Sequence, residues 1–304
     1  MSAVDDIDDA WLHRWPLPMP RADDDKNQRG RVLVVAGSPQ VPGAALLAGT
    51  AALRAGAGKL LIATGASIAP RIGIEMPESR VVALAEDGEG GLLPGGVEPL
   101  HGLVEQIDAL LLGPGWLDGR AGREFVHAVL TVFPGKPVIL DAKAMSAIES
   151  LPPLEQPLLL TPHAGELAEL AGEKREDIDA DPMSAAARAA RRWNCIVALK
   201  GPLTVIARPD GSLWRHRGGN VGLASSGSGD VLAGLVVGLA ARGAPLEQAA
   251  AWAVALHARA GDALATRIGM LGYLARELPG EVPAVMRGLT QGPGQSDLPS
   301  IRAT

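Results

Sequence analysis

The residues best able to do chemistry lie in one stretch, 218–242, which reads GGNVGLASSGSGDVLAGLVVGLAAR. It opens as a polar loop of glycines and serines and is expected to become an amphipathic helix at about Asp230. From there Val231, Leu232, Leu235, Val236 and Leu239 recur at helical spacing on one broad face. Ser226, Gly227, Ser228 and Gly229 therefore sit just ahead of a helix N-terminus. Unpaired backbone N–H groups and the positive end of the helix dipole point there, which suits a phosphate or a developing anion. Asp230, the one carboxylate in the stretch, has two readings. It is either an N-cap after a glycine-shaped turn, or a general base beside an anion hole formed by Gly227, Ser228 and Gly229. The four small residues before Asp230 favour the base. Gly234 and Gly238 each cost about 1 kcal/mol against Ala, a loss that close packing against a sheet would offset.

Other polar clusters follow apolar runs directly. Gly37–Gly43 (GSPQVPG) comes after RVLVVA and lacks both the Gly-Lys-Ser/Thr of a Walker loop and GxGxxG. It is either a tight turn or, at its Gly43–Ala45 end, the lining of a ligand site. Thr161–Glu166 (TPHAGE) places the imidazole of His163 and a carboxylate at a strand end, where His163 either caps a helix or meets a ligand. Lys200–Thr204 (KGPLT) follows another strand, and its lysine either binds phosphate or closes a salt bridge. No second His or Cys stands at metal-ligand spacing near His163, so a dedicated metal site is not expected.

The elements that must position these clusters are a series of buried strands alternating with helices. Strands are expected at Arg31–Ala36, Lys59–Ala63, Arg80–Ala85, Asp108–Leu112, Pro137–Asp141, Pro157–Thr161 and Cys195–Leu199. A hairpin is expected over Leu203–Ala207 and Ser212–His216. Helices are expected at about 44–55, 97–106, 120–133, 142–149, 165–171, 182–193, 246–266, 271–278 and 282–288. This pattern is α/β, with a mostly parallel sheet covered by helices on both faces. In such a sheet ligands bind beyond the carboxyl ends of the strands, which is where Gly37–Gly43, Gly113–Trp116, Asp141–Lys143, Thr161–Glu166 and Lys200–Thr204 all fall. Residues 1–29 read as a loosely ordered N-terminal arm that Trp11 and Trp15 could dock on the body or on a neighbouring subunit. Residues 30–290 read as one catalytic domain, and 291–304 as a disordered tail.

The chain has 304 residues, 47% of them hydrophobic, so a large core is available. A net charge of −6 without a basic run argues against a nucleic-acid partner. The single cysteine, Cys195, excludes an internal disulfide and reads as a buried strand residue. The acidic opening has no apolar core of a signal peptide, and no run of about 18 apolar residues occurs. A soluble cytoplasmic protein without a membrane partner is the expectation.

Six motifs in order resemble one family. They are GSPQVPGAALLAGTAALRAGAG (37–58), LLLGPGW (110–116), DAKAM (141–145), TPHAGEL (161–167), LKGPLTVIARPDG (199–211) and GNVGLASSGSGDVLAG (219–234). Between about Lys26 and Gly288 the chain resembles the ribokinase-like superfamily and, within it, the NAD(P)H-hydrate dehydratases. The resemblance implies a three-layer ribokinase-like fold and an ADP- or ATP-dependent return of hydrated NADH or NADPH to the reduced cofactor. It implies phosphorylation of the hydrate hydroxyl and elimination of phosphate, with Mg2+ and a homo-oligomeric, tetrameric state. By the same resemblance Ala44, Gly115, His163 and Asp230 line the hydrate site. Lys200, Gly201, Pro202, Leu203, Thr204 and Gly229 line the nucleotide site, and Glu166 could reach magnesium through water.

The chain departs from the family at Lys143, where the family has Asp, and at Val221, Leu223, Ser225 and Ser226 in the glycine-rich loop. Trp116 replaces a small apolar residue. Two alternatives remain open at this level. One is a small-molecule kinase, for a sugar or a vitamin precursor, on the same fold. The other is a non-catalytic nucleotide-binding protein, against which an intact Asp230 argues.

Overall fold

The computed structural model describes residues 4–21, 25–152 and 156–290, so the expected tail at 291–304 lies outside the described residues. In chain order come β1 (Val4–Asp6), α1 (Asp9–Arg14), β2 (Arg31–Val35), α2 (Gly43–Arg54), β3 (Lys59–Gly65), α3 (Ala69–Glu75) and β4 (Ser79–Leu84). A 3-10 helix (Pro94–Gln106) leads to β5 (Ala109–Leu112), α4 (Arg120–Val132) and β6 (Val138–Leu140). A second 3-10 helix (Ala142–Ser150) precedes β7 (Leu158–Leu160), α5 (Ala164–Ala171), α6 (Arg175–Ala180) and α7 (Pro182–Trp193). β8 (Ile196–Leu199), β9 (Leu203–Ala207) and β10 (Leu213–Arg217) follow, then α8 (Ser228–Ala241), α9 (Leu246–Arg267) and α10 (Leu278–Thr290).

These strands form one ten-stranded sheet in the order β1-β10-β9-β8-β7-β6-β5-β2-β3-β4. From β4 across to β8 every pairing is parallel, and β8, β9 and β10 continue antiparallel. Near-continuous Val/Ile/Leu strands require cover on both faces, and the two hydrophobic cores show how it is met. Along β2, Val32 and Val34 join α2, α8, α9 and α10 on one side. Leu33 and Val35 join α4, α7 and the two 3-10 helices on the other. The result is the expected three-layer α/β arrangement.

Several features differ from the sequence reading. The N-terminal arm is ordered over its described residues: β1 pairs in parallel with β10, and Ile7, Trp11, Leu12 and Leu17 are buried. The Trp15 carbonyl accepts from Gln248 Nε2 at 3.0 Å and Trp252 Nε1 at 2.9 Å, and Asp6 forms an ion pair with Arg215 at 2.6 Å. Those contacts join residues more than two hundred positions apart, which no local period reports. The arm docks on the body of its own chain.

The helix expected at 271–278 is absent; only a 3-10 turn, Ala275–Glu277, precedes α10. Gly269 and Gly272 take φ of +132° and +101°, a region that stops a helix.

Three further differences concern α8. The helix starts at Ser228 rather than at Asp230, and it is buried all round, from Val231 through Ala241, rather than along one face. Its two glycines pack against α2 and not against the sheet. A Cβ on Gly238 would stand 2.6 Å from the Ala52 carbonyl oxygen and 2.9 Å from Ala55 Cβ, and Gly234 meets Ala48 in the same way. The small residues of α2 and the glycines of α8 thus let two helix backbones touch.

This contact makes a prediction. In an open helix Gly→Ala gains about 1 kcal/mol. Here Gly238→Ala must push two backbones apart, at a cost of about 1–3 kcal/mol. Urea unfolding of Gly238→Ala should show a net loss of stability; equal or greater stability would mean that α8 and α2 are not in close contact.

Candidate active site

Strand order reverses at β2, because β3 and β4 lie on one side of it and β5 to β8 on the other. Such a reversal opens a crevice at the carboxyl ends of the two diverging strands, here β2 and β5. Gly37, after β2, donates its N–H to the Pro114 carbonyl at 2.8 Å and closes the floor of that crevice. Gly115, at φ +70°, sits so close to α2 that a Cβ would stand 2.6 Å from Ala44 Cβ. Ala44 and Gly115, two expected lining residues, are therefore neighbours.

The start of α8 faces the same rim. Gly227 is its N-cap, with φ +87° and no side-chain cap. Asp230 lies three positions inside the helix, so it is not the N-cap. Of the three amides expected to be free, that of Ser228 donates to the Ser225 carbonyl at 3.2 Å. The anion hole expected from Gly227, Ser228 and Gly229 is corrected accordingly. At the start of α8 the N–H groups of Gly227, Gly229 and Asp230 show no partner among the described residues. The turn made by Ser225 to Ser228 is tight enough to use the middle amide for itself.

Lys200 ties this helix start to two other strand ends. Its Nζ donates to Asp141 Oδ1 at 3.3 Å and lies 3.7 Å from Glu166 Oε2. A Cβ on Gly229 would stand 3.4 Å from the same Nζ. Asp141 is buried, and its Oδ1 also accepts from Thr161 Oγ1 at 2.6 Å. Burial alone would lower the Lys200 pKa, but Asp141, Glu166 and Asp230 together outweigh it and raise the value, so the ammonium keeps its proton. Burial pushes the Asp230 carboxyl up, the Asp141 charge adds to the rise, Lys200 opposes it and Glu166 adds again. Asp230 ends at about 6, well above the ordinary aspartate range. Of the two sequence readings of Lys200, the salt bridge is present, to Asp141.

His163 is the N-cap of α5. Its Nδ1 accepts from the Glu166 N–H at 3.1 Å, while Glu166 Oε2 accepts from the His163 N–H at 2.8 Å. A ring nitrogen that accepts carries no hydrogen, so the neutral ring holds its proton on Nε2, on a mostly exposed side chain. Pairing of His163 with Lys200 across a β-bridge keeps both on one rim. In the loop that follows, Gly201 and Pro202 are exposed, Leu203 and Thr204 begin β9, and Thr204 Oγ1 donates back to the Gly201 carbonyl at 3.1 Å.

Lys143 is paired with Asp118 at 3.2 Å, which raises its pKa, so its charge is partly spent outside the Asp230 cluster. Trp116 stacks edge-on against Phe125, and with Gly37, Gly91, Asp118 and Gly122 it lines a cavity beside the crevice. Asp141 is the group the sequence reading undervalued. It stood within a rim cluster, yet only the fold shows its carboxylate buried against Lys200.

Among the described residues no three His, Cys, Asp or Glu side chains come together to hold a metal. Glu166 has one oxygen already bound by His163 and lying near Lys200. Glu166, expected to reach magnesium through water, is thus already engaged on that oxygen. Among the described residues no helix is long and apolar enough to cross a membrane.

With the site described, comparison with known proteins gives a consistent result. Residues 32–284 match the family model described as NAD(P)H-hydrate dehydratase. The chain is 47% identical over 288 residues to the ADP-dependent (S)-NAD(P)H-hydrate dehydratase of Xanthomonas campestris pv. campestris, covering 93% of this chain and 96% of that one. The ADP/ATP-dependent NAD(P)H-hydrate dehydratase of Bacillus subtilis, co-crystallized with ATP/Mg2+, superposes with a TM-score of 0.81 at 32% identity, over 94% of this chain and 99% of that one. A ribokinase-like superfamily protein of Enterococcus faecalis superposes with a TM-score of 0.82 at 25% identity, over 95% and 97%.

The raised pKa of Asp230 carries a stability consequence. Between its ordinary value of 3.8 and about 6 the folded protein binds a proton that the unfolded chain has lost. Stability contributed by this site therefore falls as pH rises through that window. Asp230→Asn, which stays neutral, should melt above the wild type at pH values above about 6, and the gap should close below about 4. A gap that is constant across that range would show that folding leaves the Asp230 pKa unshifted.

Proposed function

The chain belongs to the NAD(P)H-hydrate dehydratase family, and from that footing we propose that it converts hydrated NADH and NADPH back to NADH and NADPH, using ADP or ATP. The observation that carries the reading is Asp230, its carboxyl raised to about 6, in the first turn of a helix whose Gly229 and Asp230 amides are free and beside which Lys200 stands. A binding protein has no use for a base there.

Hydroxide is a poor leaving group, so the hydrate hydroxyl must first become a phosphate ester. Asp230 takes the hydroxyl proton as the oxygen attacks the terminal phosphorus of the nucleotide. The bond from that phosphorus to the bridging oxygen breaks, and the nucleotide leaves one phosphate shorter. The Gly227 and Gly229 N–H groups hold the transferring phosphoryl oxygens, aided by the dipole of α8. Lys200, already charged, adds a cation on the same side. The ring nitrogen's lone pair then expels phosphate, and loss of the neighbouring ring proton restores the dihydropyridine.

In this reading Ala44, Gly115 and His163 line the hydrate half of the site, at the crevice between β2 and β5. The exposed Nε2–H of His163 supplies a hydrogen bond. Lys200, Gly201, Pro202, Leu203, Thr204 and Gly229 line the nucleotide half. Magnesium carried on the nucleotide's phosphate oxygens would neutralise charge there; no protein carboxylate cluster is required to hold it.

The experiment follows absorbance of the reduced nicotinamide ring and release of phosphate when purified hydrate is mixed with protein and ADP or ATP. Recovery of the reduced cofactor should depend on the nucleotide, and phosphate should appear in step with it. A stable phosphate ester in place of NADH would instead indicate a kinase. Asp230→Asn should bind nucleotide normally but turn over roughly a hundred- to ten-thousandfold more slowly. Turnover within a few-fold of wild type would remove Asp230 from the role of base.

A further inference from the structure

A histidine on α9 is used by none of the chemistry above. The partly buried ring of His257 lies against the first turn of α8, with Nε2 3.0 Å from Ser228 Oγ and 3.1 Å from the Ser228 carbonyl oxygen. A carbonyl oxygen can only accept, so Nε2 carries the hydrogen and shares it between the two oxygens. Burial pushes the ring's pKa down, the bond to the Ser228 carbonyl opposes the fall, and the Lys200 charge adds to it, so the value ends at about 4. At neutral pH the ring is an uncharged donor with one fixed tautomer.

The Ser228 carbonyl and the Gly229 N–H are the two ends of one planar peptide unit. In an α-helix they point in opposite directions along the axis. A donor that grips the carbonyl therefore sets the direction of the amide hydrogen at the far end of the same plane, and polarises it. That amide is one of the free donors at the start of α8. Within α8 the Ser228 carbonyl also takes a ladder bond of the helix, and His257 is an added side-chain donor on it, between Gly227 and Gly229, which carry no side chains.

We propose that His257 is a positioning residue, which through the Ser228 carbonyl aims the Gly229 N–H into the anion hole. The inference rests on the dehydratase reading of that site. His257 touches no reacting atom. Its contribution is to a hydrogen bond that strengthens as charge develops on the transferring phosphoryl group, so its loss is felt in turnover more than in substrate binding.

Three proteins test this: the wild type, His257→Phe, which fills the space without an N–H, and His257→Gln, which keeps an N–H donor. Steady-state kinetics with hydrate and nucleotide are measured on each, with thermal unfolding alongside. His257→Phe should lower kcat roughly three- to tenfold with KM for the hydrate little changed, and His257→Gln should recover most of the loss. The inference is overturned by wild-type kcat in the Phe variant. It is overturned equally by a rise in KM without a fall in kcat, or by a Gln variant no better than Phe when both melt like the wild type.

The amide resonance of Gly229 in glycine-labelled wild type and His257→Gln gives a second readout, independent of turnover and of whether the Phe variant folds. It should shift on substitution, and an unmoved resonance overturns the inference. If the wild type itself fails to restore reduced cofactor, the dehydratase reading falls, while the Gly229 resonance still decides whether His257 orients the amide.

Discussion

One ammonium group lies among three carboxylates at the carboxyl end of the sheet. Lys200 donates to Asp141, stands 3.7 Å from Glu166 and feels the charge of Asp230. Each of those carboxylates comes from a different place in the chain: the end of β6, the first turn of α5 and the first turn of α8. Like charges so placed repel, and each is costly to take out of water. One positive charge offsets part of that cost but cannot satisfy all three. Asp141 takes the hydrogen bond and Glu166 takes the cap of α5, while the Asp230 carboxyl is raised to about 6. That rise comes first from burial and then from the Asp141 charge, with Lys200 offsetting only part of it.

The cluster depends in turn on where α8 begins. The helix must carry Asp230 and the free amides to the rim while lying buried against β2, β5 and β6. Packing at that depth requires small residues, and Gly234 and Gly238 against Ala48, Ala52 and Ala55 provide them. The left-handed Gly227 ends the loop without a side-chain cap and leaves amides open. A serine or aspartate cap at that position would satisfy one of those amides itself and close part of the anion hole.

Much of this was legible in the sequence. Uninterrupted Val/Ile/Leu runs located the central strands to within a residue or two, because a strand buried on both faces tolerates little else. Polar clusters directly after such runs located the rim, and with it Lys200, His163 and Gly115, while the glycine- and serine-rich loop before a helical pattern pointed to Asp230. What the sequence hid was long-range. The acidic arm owes its order to β10 and α9, more than two hundred residues away. Asp141 looked like any strand-end residue until the fold buried it beside Lys200. His257 sits in an alanine-rich helix whose pattern explains it fully as packing, and only the approach of α9 to Ser228 gives it a further role. The misplaced helix at 271–278 had a local cause, two glycines with positive φ whose conformation composition does not disclose.

The central claim is that shared charge and burial make Asp230 a base at physiological pH. Carbon NMR of aspartate-labelled protein, with the Asp230 carboxyl assigned by its absence in Asp230→Asn, measures that directly. The account predicts a titration midpoint at about 6. A midpoint in the ordinary aspartate range, about 3.9, would contradict it.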